Sequence, residues 1–235
     1  SINKVFPDLI KETPYCRCSK ESDVDINKLL DKHKFLYIQK KSDGIFSYII
    51  KQDDKVKLCT RAGSEWQSDY LTEDLQYLSN DTVLVGEALI KDGQRELSRQ
   101  KGNGLINSFI KRYTTADSLQ EKIDKASEKA KAKLLDKLSE NLAEWTYTGK
   151  HMAFEVWDIL TLEEFEQGES KRPYSKRLTE LEYMIPKINS LKISIIETEK
   201  CYSKEDIDNF IARMYAEGNE GGVIKTPTLL FQNKT

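Results

Sequence analysis

Between residues 35 and 90 the chain carries four runs rich in Ile, Val, Tyr and Phe: "FLYIQK", "IFSYIIKQ", "KVKLCTRAG" and "TVLVGEALI". Asp, Gly and Asn mark the breaks between them. Breaks that are mostly short hold turns but not crossover helices, so these runs predict antiparallel strands rather than βαβ units. The pattern changes further on. A strand-like "HMAFEVWDIL" is followed by a helical "YSKRLTELEYMIPKI", a strand "LKISIIETE", a helix "SKEDIDNFIARMYAEG" and a Gly-bounded strand "GGVIKTP". Strands that dominate early and alternate with helices late predict an α+β fold with mostly antiparallel sheet.

Between the two halves, residues 115–145 place Leu119, Ile123, Ala126, Ala130, Leu134, Leu138 and Leu142 on one stripe. This predicts a single helix with Thr115 as N-cap, Asp117 in its first turn and a lysine-rich solvated face. A short helix is expected near "VDINKLLDKHK", after a turn at Pro14. Residues 1–34 read as an N-terminal segment packing on or leading into one domain over 35–235, with no internal repeat and no long linker.

The balance of 37 basic and 39 acidic side chains gives a net charge of −2, which excludes a strongly basic field over the whole molecule but not a local basic stripe. No run reaches the roughly 18 uninterrupted apolar residues of a membrane span. The N-terminus has no basic-then-apolar layout, so a cytoplasmic protein is expected. Cys16, Cys18, Cys59 and Cys201, with His33 and His151 distant in sequence, read as reduced structural thiols rather than zinc ligands or a disulfide framework.

Five stretches put reactive groups where bulk structure does not ask for them. "KKSDGIF" has the Asp-Gly signature of a β-hairpin, and charged residues at a turn are ordinary. Yet Lys41, at a strand end beside a tight turn, stands where lost hydration would lower its pKa toward the neutral amine of a nucleophile, with Asp43 near enough to orient it. Arg61 stands two residues before Gly63, a setting in which a forked guanidinium meets phosphate or sugar. Glu87 and Asp158 interrupt apolar strands, where an unpaired carboxylate is costly, so each needs a salt-bridge partner or a ligand. Trp157 adjoins Asp158, and "EGGVIK" brackets a short strand between Glu220 and Lys225.

As an ordered set, Lys41-Ser42-Asp43-Gly44, Arg61-Ala62-Gly63, Gly86-Glu87, Phe154-Glu155-Val156-Trp157-Asp158 and Glu220–Lys225 resemble the motifs of the covalent nucleotidyltransferases. That group comprises ATP-dependent DNA ligases, RNA ligases and mRNA capping enzymes. "TRAGSEW", "SRQKGNG", "AFEVWDIL", the Tyr174–Arg177 "Y-x-x-R" and "EGGVIK" resemble stretches of bacteriophage ATP-dependent DNA ligases, and the likeness runs from about Phe35 to Lys225.

The resemblance implies a nucleotidyltransferase (adenylation) fold and a reaction. Lys41 would attack the α-phosphate of ATP to give lysyl-N-AMP and pyrophosphate. AMP would then pass to the 5′-phosphate of nicked double-stranded DNA for strand joining in replication, repair or recombination. Gln39 and Lys40 would lie along the adenine, with Gln39 bonding its exocyclic amine. Arg61 would contact sugar or phosphates, and Glu87 the ribose hydroxyls and a metal. Trp157 would stack on adenine, Glu220 would hold Mg²⁺ or Mn²⁺, and Lys225 would neutralise phosphate. Arg99, Lys101 and basic residues of 111–137 would face DNA, and a solvated basic surface accounts for them equally well. The protein would act as a monomer, without a membrane.

Two departures stand out. Phe46 occupies a position where many family members carry Arg. The Lys-x-Lys strand expected soon after Lys225 does not occur before Thr235, and neither does an OB-fold domain, so this span is expected to self-adenylate weakly and seal nicks poorly. Two other functions fit the same residues: an RNA ligase or RNA-capping nucleotidyltransferase with the same lysine chemistry, and a non-catalytic nucleotide- or DNA-binding domain.

Overall fold

The computed structural model of the protein describes residues 23–61, 63, 65–66, 73–93 and 95–232. Pro14, Cys16, Cys18 and Ala62 lie outside the described residues. After helix α1 (Ile26–His33) come strands β1 (Leu36–Lys40), β2 (Ile45–Gln52), β3 (Lys55–Thr60), β4 (Glu65–Trp66), β5 (Thr82–Asp92) and β6 (Arg95–Glu96). Helices α2 (Arg99–Ile110), α3 (Arg112–Lys125) and α4 (Glu128–His151) lead into β7 (Met152–Thr161), α5 (Leu162–Gln167), β8 (Glu169–Ser170) and α6 (Tyr174–Ile188). The described chain closes with β9 (Ile193–Ile195), β10 (Thr198–Cys201), α7 (Lys204–Ala216), β11 (Gly222–Lys225) and β12 (Phe231–Gln232).

The larger sheet runs β4-β3-β2-β5-β7-β9, with β6 paired to β5, and the smaller runs β10-β1-β11. Among the described residues every ladder is antiparallel except β7–β9, as the strand spacing predicted. Period-two alternation sorts the larger sheet's residues between two cores. Ile49, Leu84, Ala88, Phe154 and Val156 pack toward Ile106 and Phe109 of α2, Trp145 of α4 and Leu181 and Ile185 of α6. Tyr48, Ile50, Val83 and Val85 join Leu162 and Phe165 of α5 and Phe231 on the other face. The smaller sheet buries Leu36 and Ile38 against Phe210 and Met214 of α7.

The sequence reading is corrected at three places. First, "FLYIQKKSDGIFSYII" is not a hairpin: β1 pairs with β10 and β11, β2 with β3 and β5, and residues 41–44 cross from one sheet to the other. Gly44 serves close approach rather than a mirror-image turn, since a Cβ there would sit 2.3 Å from the Ala88 carbonyl oxygen. Second, the 115–145 stripe is broken. Ala126 and Ser127 are extended, α3 doubles back on α4, and Thr115 lies inside α3 rather than capping it. Leu119 and Ile123 are buried whereas Leu142 is exposed, so a helical hairpin buries only part of the stripe. Third, "LKISIIETE" divides into β9 and β10, which belong to different sheets. Helices α6 and α7 stand where expected, α7 with a Ser203/Asp206 capping box.

Candidate active site

The crossover from β1 to β2 presents alternate side chains in opposite directions. Lys40, Ser42 and Gly44 turn toward the larger sheet. There Glu155 accepts hydrogen bonds from Lys40 Nζ (2.9 Å), Lys91 Nζ (2.7 Å) and, very closely, Ser42 Oγ. Glu87 accepts one from the Gly44 amide (2.8 Å). Glu87 and Glu155 are cross-strand partners of β5 and β7, so both carboxylates project from the same face. Phe46 is Glu87's partner on β2, and Arg61 leaves β3 just past the Ser47–Thr60 pair, with its side chain exposed.

Lys41 points the other way. Its amide donates to the Gly221 carbonyl (3.0 Å) and its Nζ lies 2.6 Å from Glu220 Oε2. Arg99, the first residue of α2, reaches Asp43 (3.3 Å) and Glu220 (3.9 Å), which completes an exposed cluster around the lysine. The Glu220 hydrogen bond, which outweighs partial desolvation, raises the Lys41 pKa, and the same bond holds Glu220 below the usual carboxylate range. The depressed lysine pKa expected from sequence is therefore overturned for the protein alone: Lys41 is half-exposed and has a carboxylate as its nearest partner.

Burial raises Glu87 to about 7 against the opposing Gly44 hydrogen bond. Glu155 behaves oppositely: burial pushes upward, but the hydrogen bonds from Lys40, Lys91 and Ser42 win and lower its pKa. Lys40, which the resemblance places along the nucleotide, has its side chain buried between Glu155 and Glu96.

On the face of β1 turned away from α7, Tyr37 and Gln39 are buried, and Tyr37 pairs with Lys225 of β11. The ammonium of Lys225 stands 4.5 Å from the Tyr174 ring centroid and 5.9 Å from that of Trp157, so this residue links the smaller sheet to β7. Phe46 meets Trp157 with ring centroids 5.5 Å apart, which fills the position of the family's usual Arg with an aromatic contact. The Gln39 amide donates to Tyr174 Oη (2.7 Å) and Thr198 Oγ1 (2.9 Å). Both hydroxyls spend their protons elsewhere, on the Trp157 and Ile196 carbonyls, which fixes the orientation of the amide. Its buried Oε1 accepts no hydrogen bond among the described residues.

Asp158, next to Trp157, forms a two-pronged bond with fully buried Arg177 (2.7 and 3.1 Å). Arg177 also donates to the carbonyls of Arg172 and Leu229 (3.2 Å to the latter). The salt-bridge reading of Asp158 thus holds, and the "Y-x-x-R" motif gains a physical basis: Tyr174 orders Gln39 and Arg177 neutralises Asp158. Sequence reasoning placed Ser42, Glu155 and Tyr174 within motifs but assigned no role to them or to Lys91. A further signal was another carboxylate in an apolar strand, at Glu155, of the kind that drew notice to Glu87 and Asp158.

Lys41 is thus held on the seam of the two sheets, with Glu220, Asp43 and Arg99 around it. The chain belongs to the ATP-dependent DNA ligase domain family, whose model matches residues 18–235. It is 27% identical to the DNA ligases of Enterobacteria phages T6 and T4, over 98% of its own length and 48% of theirs. It therefore spans about half the length of the curated relatives it matches. Among solved structures, the ATP-dependent DNA ligase from bacteriophage T7, in complex with ATP, shares the fold with a TM-score of 0.64 at 18% identity, covering 96% of this chain and 67% of that one.

Proposed function

We propose that this domain carries out the adenylation step of an ATP-dependent DNA ligase, with Lys41 as the nucleophile. The observation that supports this most directly is the position of Lys41 on the crossover, with Glu220 and Arg99 beside it and Glu87 behind the same turn. Lys41 Nζ attacks the α-phosphorus of ATP. The Lys41 ammonium first gives up one proton to free its lone pair; the N–P bond then forms, the bond from phosphorus to the pyrophosphate oxygen breaks, and a second proton leaves the nitrogen for solvent. Catalysis here rests on positioning and charge neutralisation more than on covalent chemistry.

The donors present suit this substrate. The free acceptor on Gln39 matches the exocyclic amine of adenine, and Trp157 offers a ring for stacking. Glu87, near neutral by its pKa, bonds ribose hydroxyls, while Arg61 and Lys225 meet phosphate. Among the described residues no cluster of three His, Cys, Asp or Glu forms a closed metal cage. Glu220 and Glu87 offer separate carboxylates, which suits Mg²⁺ or Mn²⁺ carried in with phosphates and water. An ion held by these carboxylates would shield phosphate charge as pyrophosphate leaves.

The acceptor in this reading is the 5′-phosphate of nicked double-stranded DNA, reached in the host cytoplasm by a monomer. No helix among the described residues is long and apolar enough to cross a membrane. The test is intact mass after incubation with ATP and Mg²⁺: an AMP-sized gain is expected, lost in Lys41→Ala. No gain under any condition refutes the nucleotidyltransferase reading. Nicked DNA and nicked RNA acceptors then separate a DNA from an RNA ligase.

A further inference from the structure

We infer that Glu155 is a positioning residue for Lys41, acting through both of its sequence neighbours; this rests on the adenylation reading above. The Glu155 carboxylate is buried, 6% exposed, and receives Lys40 from one side of the nucleophile and Ser42 from the other. Its third partner, Lys91, comes from β5. One step across the ladder Glu87 takes the Gly44 amide, so alternate residues 40, 42 and 44 are each fastened to the paired strands β5 and β7. Residues 41–44 belong to no strand, but their contacts alternate: Lys40 and Ser42 reach Glu155, whereas Lys41 and Asp43 reach Glu220 and Arg99. Fastening 40, 42 and 44 therefore fixes the direction of 41 and 43, the two that reach Glu220 and Arg99.

The charge balance explains why a carboxylate does this. Two ammonium groups and a hydroxyl on one buried anion leave it ionised and its partners paired, the condition under which a buried ion pair holds geometry. A glutamine keeps the shape but offers Lys40 and Lys91 a neutral oxygen, so both cations are left undercompensated and the neighbours of Lys41 loosen. An attacking amine displaced by about 1 Å loses on the order of 100-fold in rate.

The experiment compares wild type, Glu155→Gln and Ser42→Ala. It reads the single-turnover rate of AMP adduct formation, ATP affinity from Trp157 fluorescence, and amide hydrogen exchange over residues 40–44. The expected result for Glu155→Gln is a rate lowered ~10- to 100-fold, ATP affinity within about 3-fold of wild type, and faster exchange confined to 40–44. Ser42→Ala shows a smaller change of the same pattern and stands in if Glu155→Gln fails to fold. Wild-type rates, or a loss of rate that merely parallels a loss of affinity and a global rise in exchange, overturn the assignment. A wild-type protein that forms no adduct defeats the adenylation reading instead, and the exchange result then decides the anchoring alone.

Discussion

Glu87 and Glu155 face one another across the β5–β7 ladder, yet their surroundings drive their proton affinities apart. Burial with a single amide donor raises Glu87 to about 7, whereas two lysines and a serine hold Glu155 low despite burial. Near neutral pH Glu155 is thus ionised, while Glu87, only partly buried beside it, is about half protonated.

This asymmetry has a consequence for stability in metal-free buffer. The folded protein binds a proton on Glu87 more tightly than the unfolded chain, so stability is fullest below the unfolded carboxyl range and falls as pH rises to about 7. The loss is on the order of 3 kcal/mol at most. Glu87→Gln, which still offers Gly44 an acceptor, removes this slope; urea unfolding at pH 5 and pH 8 measures it.

Glu220→Gln lowers the Lys41 pKa, because the ammonium loses the hydrogen-bonded carboxylate that raises it. The ammonium signal of Lys41, followed by NMR titration without metal, shifts to lower pH. Global stability changes by less than about 1 kcal/mol, as for other exposed ion pairs. An unmoved Lys41 titration contradicts the expectation.

Arg177→Met leaves Asp158 as a buried carboxylate without its counter-ion and costs about 3–5 kcal/mol in chemical unfolding. Arg177→Lys recovers little, because one ammonium cannot span both oxygens of Asp158 and two carbonyls. Asp158→Asn together with Arg177→Met recovers part of the loss, and a strictly additive double variant contradicts the pairing.

Gly44→Ala places a methyl group 2.3 Å from the Ala88 oxygen, a backbone atom that cannot yield cheaply. The expected cost is about 1–3 kcal/mol from overpacking. Adduct formation is expected to fall by more than stability alone explains, because the Gly44 amide leaves Glu87. Thermal unfolding and adduct mass, measured on the same sample, separate the two effects.

The strands and late helices were legible in the sequence because their periodicity is local: β2 spans the "IFSYIIKQ" run and α6 the "YSKRLTELEYMIPKI" run. What was not legible depended on partners distant in sequence. Asp43-Gly44 reads as a hairpin turn until Ala88 is seen pressed against Gly44. Lys41 reads as a lysine with a lowered pKa until Glu220, 179 residues later, arrives at its amine. Lys40 and Lys41 are indistinguishable as neighbours in a chain, and only the counter-charges on either side separate a buried ammonium from an exposed one.

The crossover of residues 41–44 has a mechanical meaning. Lys41 is bonded through its amide to Gly221 beside the smaller sheet, while Ser42 and Gly44 are bonded to the larger one. The lysine therefore behaves as a gauge of the gap between the sheets. Repacking beneath Phe210 or beneath Phe154 would register at its amine as a change of spacing, though neither residue comes near it in sequence. Substitutions in two separate cores would then share one kinetic signature.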